Sequence, residues 1–477
     1  MQSKPRQRLF SLTSFLSTQR WLLLLMVGLL SWLVYQVGLL QSYSFSALGV
    51  VPLLDIAKLT HGKPVAEAQY VLVVAASFAL YALAIRICGA QRSRSMWLVL
   101  IGSVIAINAA MIQLYPIGAA DIFDSLAHGR MTSHYGANPF YTAPNAFPTD
   151  VLAPFVGWSN TTATYGPLFE WITAGVTKIA GDDILTHVIA FKLVLLAFYA
   201  GSALIIALLL KRRAPERALQ AVCFFALNPL VIYSTAGNGH NDILMVFFIA
   251  LGALALDRGH YTSAALAFTA GGALKFISIA LIPIVLVIAL REDRTWRASI
   301  KFLLVTGLAC AGLLVAVSAP FYKGGDFFGL NWKFALYTTS LPSVAQAALE
   351  GVMGTAASRL FVNRAAMLLL VALIGYLMWH VYQRNEWRAP LRAALLILLM
   401  YLMVVCAWFQ AWYVQWALVV AAIMIGGNLS RLTLLLSYSV MWKSIFIDFY
   451  LYSGGWIIAR DQRELATVVA TFGIVWL

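Results

Sequence analysis

The chain has 477 residues, of which 61% are hydrophobic and 11% charged, and it carries a formal net charge of +14. So small a charged fraction excludes an ordinary soluble domain and makes hydrocarbon the main solvent of the fold. The positive excess gathers in short turns between apolar runs with no RNA- or DNA-binding motif beside it, so it reports membrane orientation and not nucleic acid.

In chain order, Met1 to Arg20 carries Lys4, Arg6, Arg8 and Arg20 ahead of a long apolar stretch with no small-residue cleavage site. That pattern predicts an uncleaved anchor with a cytoplasmic amino terminus. A bilayer core of about 30 Å needs about 20 apolar residues per helix. Such runs fall at 20–40, 69–88, 96–114, 188–210, 218–236, 242–256, a compound 261–290, 302–320, 365–383, 393–408, 412–428, 432–452 and 465 to the end. They predict an all-α polytopic membrane protein with about 13–14 transmembrane helices, because barrel strands would alternate in polarity over about ten residues. Cytoplasmic turns are expected at Arg92-Ser93-Arg94, Lys211-Arg212-Arg213, Arg291 to Lys301 and Arg384 to Arg392. External loops are expected at 115–187 and 321–364, dividing the chain into a first module, 1–291, and a second, 292–477. Cys88, Cys223, Cys310 and Cys406 lie in or beside apolar runs without metal or redox spacing, which fits small apolar packing.

The first external loop opens abruptly. Directly beyond an apolar run stand Asp121 and Asp124, one helical turn apart, then His128, Gly129 and Arg130, then the turn Gly136-Ala137-Asn138-Pro139. A helix over 121–134 places Asp121 at its start, either as a capping carboxylate or as a general base facing a cavity. The stretch 165–180 reads as an interfacial helix.

Two later places interrupt the apolar pattern. The hairpin Gly237-Asn238-Gly239-His240-Asn241-Asp242 separates two runs, as a solvated turn with a helix cap or as a surface for sugar or phosphate. A straight helix over 261–290 would be about 45 Å long, so Gly271-Gly272 and Lys275 mark an expected break, re-entrant or strongly tilted. Irregular backbone at membrane depth survives only beside protein or a water-filled cavity, and a buried lysine there is costly unless functional.

The series Asp121-Ile122-Phe123, Gly129-Arg130 and Gly136-x-Asn138-Pro139-Phe140-Tyr141 resembles the first external loop of the GT-C glycosyltransferases. The nearest similarity is to polyprenol-phosphate-mannose-dependent α-1,6-mannosyltransferases of bacterial lipoglycan assembly. Tyr165-Gly166-Pro167, Asn228-Pro229, Gly239-His240-Asn241-Asp242, Lys275-Phe276 and Trp412-Tyr413 with Trp416 continue the match in order. The chain departs from the pattern at His128, where such enzymes often have an acidic residue, and at Asp124, where they often have a basic or polar one.

The resemblance implies a bacterial plasma-membrane enzyme with an extracytoplasmic site and a polyprenyl-phosphate sugar donor, mannose being the expected hexose. The acceptor would be a lipid-anchored or glycan hydroxyl, membrane lipids being the other partners. Asp121 is the candidate base. Negative charge growing on the departing lipid phosphate calls for fixed cations or donors, and Arg130, His240 and Lys275 are the candidates. Asp124, Asn138, Tyr141, Tyr165, Asn238, Asn241, Asp242, Gln410, Trp412 and Tyr413 are the candidates for sugar or acceptor contact. No cofactor is expected, and no metal, since no second histidine stands at ligand spacing from His240. One carboxylate suffices for a single inverting displacement. The alternative class is a transporter or flippase of lipid-linked sugars, against which stand the lack of an inverted repeat and the clustering of polar groups on one side.

Overall fold

A computed structural model describes residues 19–61, 63–89, 93–291, 295–327, 329, 333, 335–444 and 460–476. The basic segment with Lys4, Arg6 and Arg8, the turn residue Arg92, Arg294, and the later part of the run 432–452 lie outside the described residues.

The described chain is helical, with two isolated β-bridges and no strand. In order the main helices are α1 (Arg20–Tyr35, continued to Tyr43), α2 (Pro64–Cys88), α3 (Arg94–Met111), α4 (Asp121–Ser133), α5 (Pro167–Ala180) and α6 (Ile184–Arg213). Then follow α7 (Ala218–Ala226), α8 (Pro229–Ile232), α9 (Asp242–Asp257), α10 (Tyr261–Gly272), α11 (Ile282–Arg291) and α12 (Trp296–Ser318). The last are α13 (Leu341–Met353), α14 (Thr355–Gln383), α15 (Arg388–Met400), α16 (Gln415–Ile423), α17 (Asn428–Ser439) and α18 (Arg460–Trp476).

Short helices occupy the centre and long ones the outside. Every residue of α16 is buried, as is nearly all of α7. In α12, by contrast, only Phe302 and Thr306 are buried, while Leu304, Leu308 and Val315 stand exposed. A helix so apolar and so uncovered is stable only with lipid around it. Among the described residues seven helices are long and apolar enough to cross a bilayer alone, or eight if the bent pair Pro215–Ala226 and Pro229–Gly237 counts as one span. The expected runs at 242–256, 261–290, 412–428 and 432–452 instead contain the shorter helices α9, α10, α11, α16 and α17, of 16, 12, 10, 9 and 12 residues. Apolar composition reports an apolar surround, and for the central helices that surround is protein.

Three local devices set the frame for the polar cluster. Asn228 starts α8 by accepting the Leu230 N–H, and its amide donates to the Tyr81 and Ser437 hydroxyls, each at 3.1 Å, so one capping residue ties α2, α8 and α17 together. Lys192, fully buried on α6, donates to the carbonyls of Leu114 at 2.6 Å and Ile112 at 3.2 Å. It thereby fixes the strap between α3 and α4. The compound run breaks after Gly272: Lys275 is extended, and a 3-10 turn over Phe276–Leu281 leads into α11. The start of α5 docks on this break, with Gly166 N–H bonded to Leu274 O at 2.9 Å and Leu168 N–H to Ala273 O at 3.1 Å.

Candidate active site

Five segments distant in sequence converge where α4 begins: the start of α4, the residue before the Gly166 junction, the hairpin leading into α9, the break after α10 and the turn leading into α16. Asp121 opens α4 and its carboxylate keeps 30% exposure. His240 Nδ1 lies 3.9 Å from Asp121 Oδ2. Gly239, with φ of 72°, supplies the left-handed turn that points the hairpin at this spot, and a side chain there would also collide with Ile122. The imidazole is stacked on Trp412 at 3.7 Å between ring centres and 14° between planes.

Asp242, wholly buried at the start of α9, anchors the other side. Its Oδ1 accepts from Lys275 Nζ at 2.7 Å and from the Trp416 indole at 2.6 Å. The Lys275 ammonium is also enclosed by rings, 4.7 Å from the centre of Tyr165, 5.0 Å from Tyr413 and 5.7 Å from Trp416. Such a cage offers a desolvated cation both π faces and a counter-charge.

The electrostatics follow from burial. Burial pushes the Asp121 carboxyl up to about 6, the Asp242 charge adds to that rise, and the Lys275 charge opposes it. Asp124 is pushed up to about 7, chiefly by burial and in spite of the Trp158 N–H bonded to its Oδ1 at 2.8 Å. Burial, with Lys275 adding, holds the His240 imidazole well below the usual histidine range. His240 is therefore neutral, a hydrogen-bonding group and not a second cation.

Several other sequence candidates are held in structural bonds. Arg130 is buried and donates through Nε to Asp150 at 2.8 Å, through Nη1 to Gly181 O at 2.6 Å and through Nη2 to Asp182 at 2.9 Å. Its fork is committed to joining α4 to the loops on either side of α5, about two and a half helical turns from Asp121. Asn138 and Tyr141 bond the Phe321 and Gly324 carbonyls, lacing the loop between α4 and α5 to the loop between α12 and α13. Asn238 accepts from Gly118 N–H at 2.8 Å and donates to Tyr233 O, which latches the strap before α4 to the hairpin. Gln410 accepts from Lys443 at 2.8 Å. Asn241 makes no side-chain cap bond at α9, and its Oδ1 is buried.

Two groups near the cluster carry no sequence motif. Glu170 on α5 is fully buried, which pushes its carboxyl up to about 8, and the Lys333 charge opposes that rise. Lys333 stands 5.5 Å from the ring of Phe276, next in sequence to Lys275. Its only signal in the sequence is a lone cation in an aromatic-rich stretch. Among the described residues no three His, Cys, Asp or Glu side chains are grouped to hold a metal ion.

A family model described as "Alpha-(1->6)-mannopyranosyltransferase, N-terminal domain" matches residues 25–291. The alpha-(1->6)-mannopyranosyltransferase A of Corynebacterium glutamicum is 23% identical over 309 residues, covering 60% of this chain and 63% of that protein. The protein of the same description from Mycobacterium tuberculosis is 27% identical over 236 residues, covering 48% of this chain and 44% of its own length. The alpha-(1->6)-mannopyranosyltransferase B of Corynebacterium glutamicum is 29% identical over 143 residues, 29% of this chain and 23% of that protein. The matched stretches thus span less than two thirds of each relative.

Proposed function

The chain belongs to the alpha-(1->6)-mannopyranosyltransferase family, and from that premise we propose that it transfers mannose from a polyprenyl-phosphate-linked donor to an acceptor hydroxyl on a lipid-anchored glycan, at the extracytoplasmic face. The observation that carries the reading is the meeting of the Asp121 carboxylate with His240 at 3.9 Å, in one cluster with the caged Lys275.

Asp121 takes the proton of the acceptor hydroxyl as that oxygen attacks the anomeric carbon, and the bond from that carbon to the phosphate oxygen breaks. The electron pair leaves with the polyprenyl phosphate. Lys275 stabilises the added charge on the phosphate, and the neutral His240 helps by donating a hydrogen bond. Trp412, stacked on His240 by one face, offers the other to the sugar ring, and Tyr413 lies beside it as part of the Lys275 cage. The step needs one base and proceeds with inversion. Partial exposure of Asp121 beside fully buried Asp242 supports the division of labour, since the base must reach substrate and the counter-ion need not.

The test is Asp121→Asn in purified protein with labelled polyprenyl-phosphate-mannose. Transfer is expected to fall by at least about a thousandfold, a large general-base effect, with an unchanged melting curve in detergent. Wild-type rates in that variant would overturn the assignment. Parallel reactions with the glucose and arabinose donors, followed by analysis of the product linkage, test the sugar.

A further inference from the structure

The end of the bundle away from Asp121 holds a second polar feature. Helix α9 leads from Asp242 in the cluster to Asp257 about 22 Å away, and α11 leads from the Lys275 break to Arg291. Around these far ends opens a cavity of about 510 Å³ into which four arginines, Arg213, Arg291, Arg384 and Arg388, face two carboxylates, Asp257 and Glu386. The arginines differ in what occupies them. Arg213 pairs with Asp257, and Arg291 bonds the Val381 and Arg384 carbonyls and the Asn385 amide oxygen, closing the end of α14. That is the ordinary work of basic residues at helix ends. Arg384 and Arg388, among the described residues, make no ion pair and donate no side-chain hydrogen bond; Arg388 lies against the Trp387 ring at 5.0 Å and its Nε is buried without a partner. Two unneutralised guanidinium groups in one wall form a receptor for a phosphate.

A second cavity of about 200 Å³ shares Val381 and Arg384 with the first, and its walls combine Tyr376, Leu377 and Leu396 with the basic His380 and Arg392. Along the same stretch of α14, Tyr376, Trp379 and Tyr382 are exposed aromatics of the kind that line a bilayer surface. Basic chambers beside an exposed aromatic helix face fit one molecule with an anionic head and a hydrocarbon tail. A free phosphate would leave the aromatic face without a role.

We propose that this cavity between α6, α9, α11, α14 and α15 binds the phosphate headgroup of an anionic membrane lipid, gripped by Arg384 and Arg388, with an acyl chain along α14. Basic pockets between membrane helices are suited to such headgroups.

The test is native mass spectrometry of the full chain released from nanodiscs of phosphatidylcholine alone or doped with phosphatidylglycerol. Wild type is expected to retain phosphatidylglycerol over phosphatidylcholine, and the double variant Arg384→Gln/Arg388→Gln to lose that preference by about tenfold or more. Doping is expected to raise the melting temperature of wild type and leave that of the variant unmoved, a readout that also establishes that the variant is folded. Equal retention by the two proteins, or equal retention of the two lipids, overturns the proposal. Displacement of the lipid by inorganic phosphate at physiological concentration overturns a lipid as the ligand.

Discussion

Asp121, Lys275 and Asp242 are coupled charges, and their coupling sets a pH dependence. A base works when ionised, so activity is expected to fall as pH drops through the Asp121 value of about 6. Lys275 holds that value down against burial. In Lys275→Gln the opposing charge is gone, and the acid limb of kcat/KM is expected to move upward, to about 7 or beyond, together with a loss of rate from the unshielded phosphate. A residual activity whose acid limb stays where it was would separate Lys275 from Asp121. The same scale explains what the sequence concealed. Lys275 stood out because a cation inside an apolar run is costly. Arg130 looked equally promising beside Gly129, yet its partners Asp150 and Asp182 lie across two loops, and no spacing within one sequence announces a long-range ion pair. His240 was legible as a polar hairpin residue, but its neutrality depends on burial, which a hairpin sequence does not reveal.

At the scale of elements, the expected helix over 121–134, the expected helical stretch over 165–180 and the break near Gly271-Gly272 all have counterparts in α4, α5 and the turn after α10. Each was marked by a local signal, a change of polarity or a glycine pair. The close contact between α4 and α5 was not marked. A β-carbon on Gly129 would approach the Thr173 carbonyl group within 2.6 Å, so Gly129 allows the two helices to touch. Gly129→Ala is expected to force them apart at a cost of about 1–3 kcal/mol, lowering the melting temperature in detergent by several degrees. An unchanged melting curve would mean that the helices yield without loss.

For the whole molecule, composition made the lipid environment plain and left the number of crossings open. Helices α7 and α16 are as apolar as any span, and only the packing reveals that protein surrounds them. Nor did pattern disclose how the late segments support the cluster. Glu464 on α18 accepts from Thr339 N–H at 3.0 Å and from the Ser343 hydroxyl at 2.8 Å. The adjoining Thr338 bridges to Ala407 and Phe409, just ahead of the Trp412 turn. Thr339 has φ of 49°, an unfavourable backbone for a β-branched residue, so the carboxylate holds a strained corner in place. Glu464→Ala is expected to leave the buried Thr339 N–H unpaired, since the Ser343 hydroxyl keeps the Ser340 carbonyl at 2.7 Å, costing roughly 1–3 kcal/mol, and to lower kcat/KM with Asp121 intact. A variant with normal stability and kinetics would show the corner to be self-supporting.

The sharing of a single oxygen, Asp242 Oδ1, by Lys275 and Trp416 has a mechanical consequence. An arriving anion that draws the ammonium toward itself leaves that oxygen with the indole, so the carboxylate remains seated while the lysine swings. The cluster can thus accept and release charge by one side-chain excursion, with the aromatic wall acting as a fixed fulcrum.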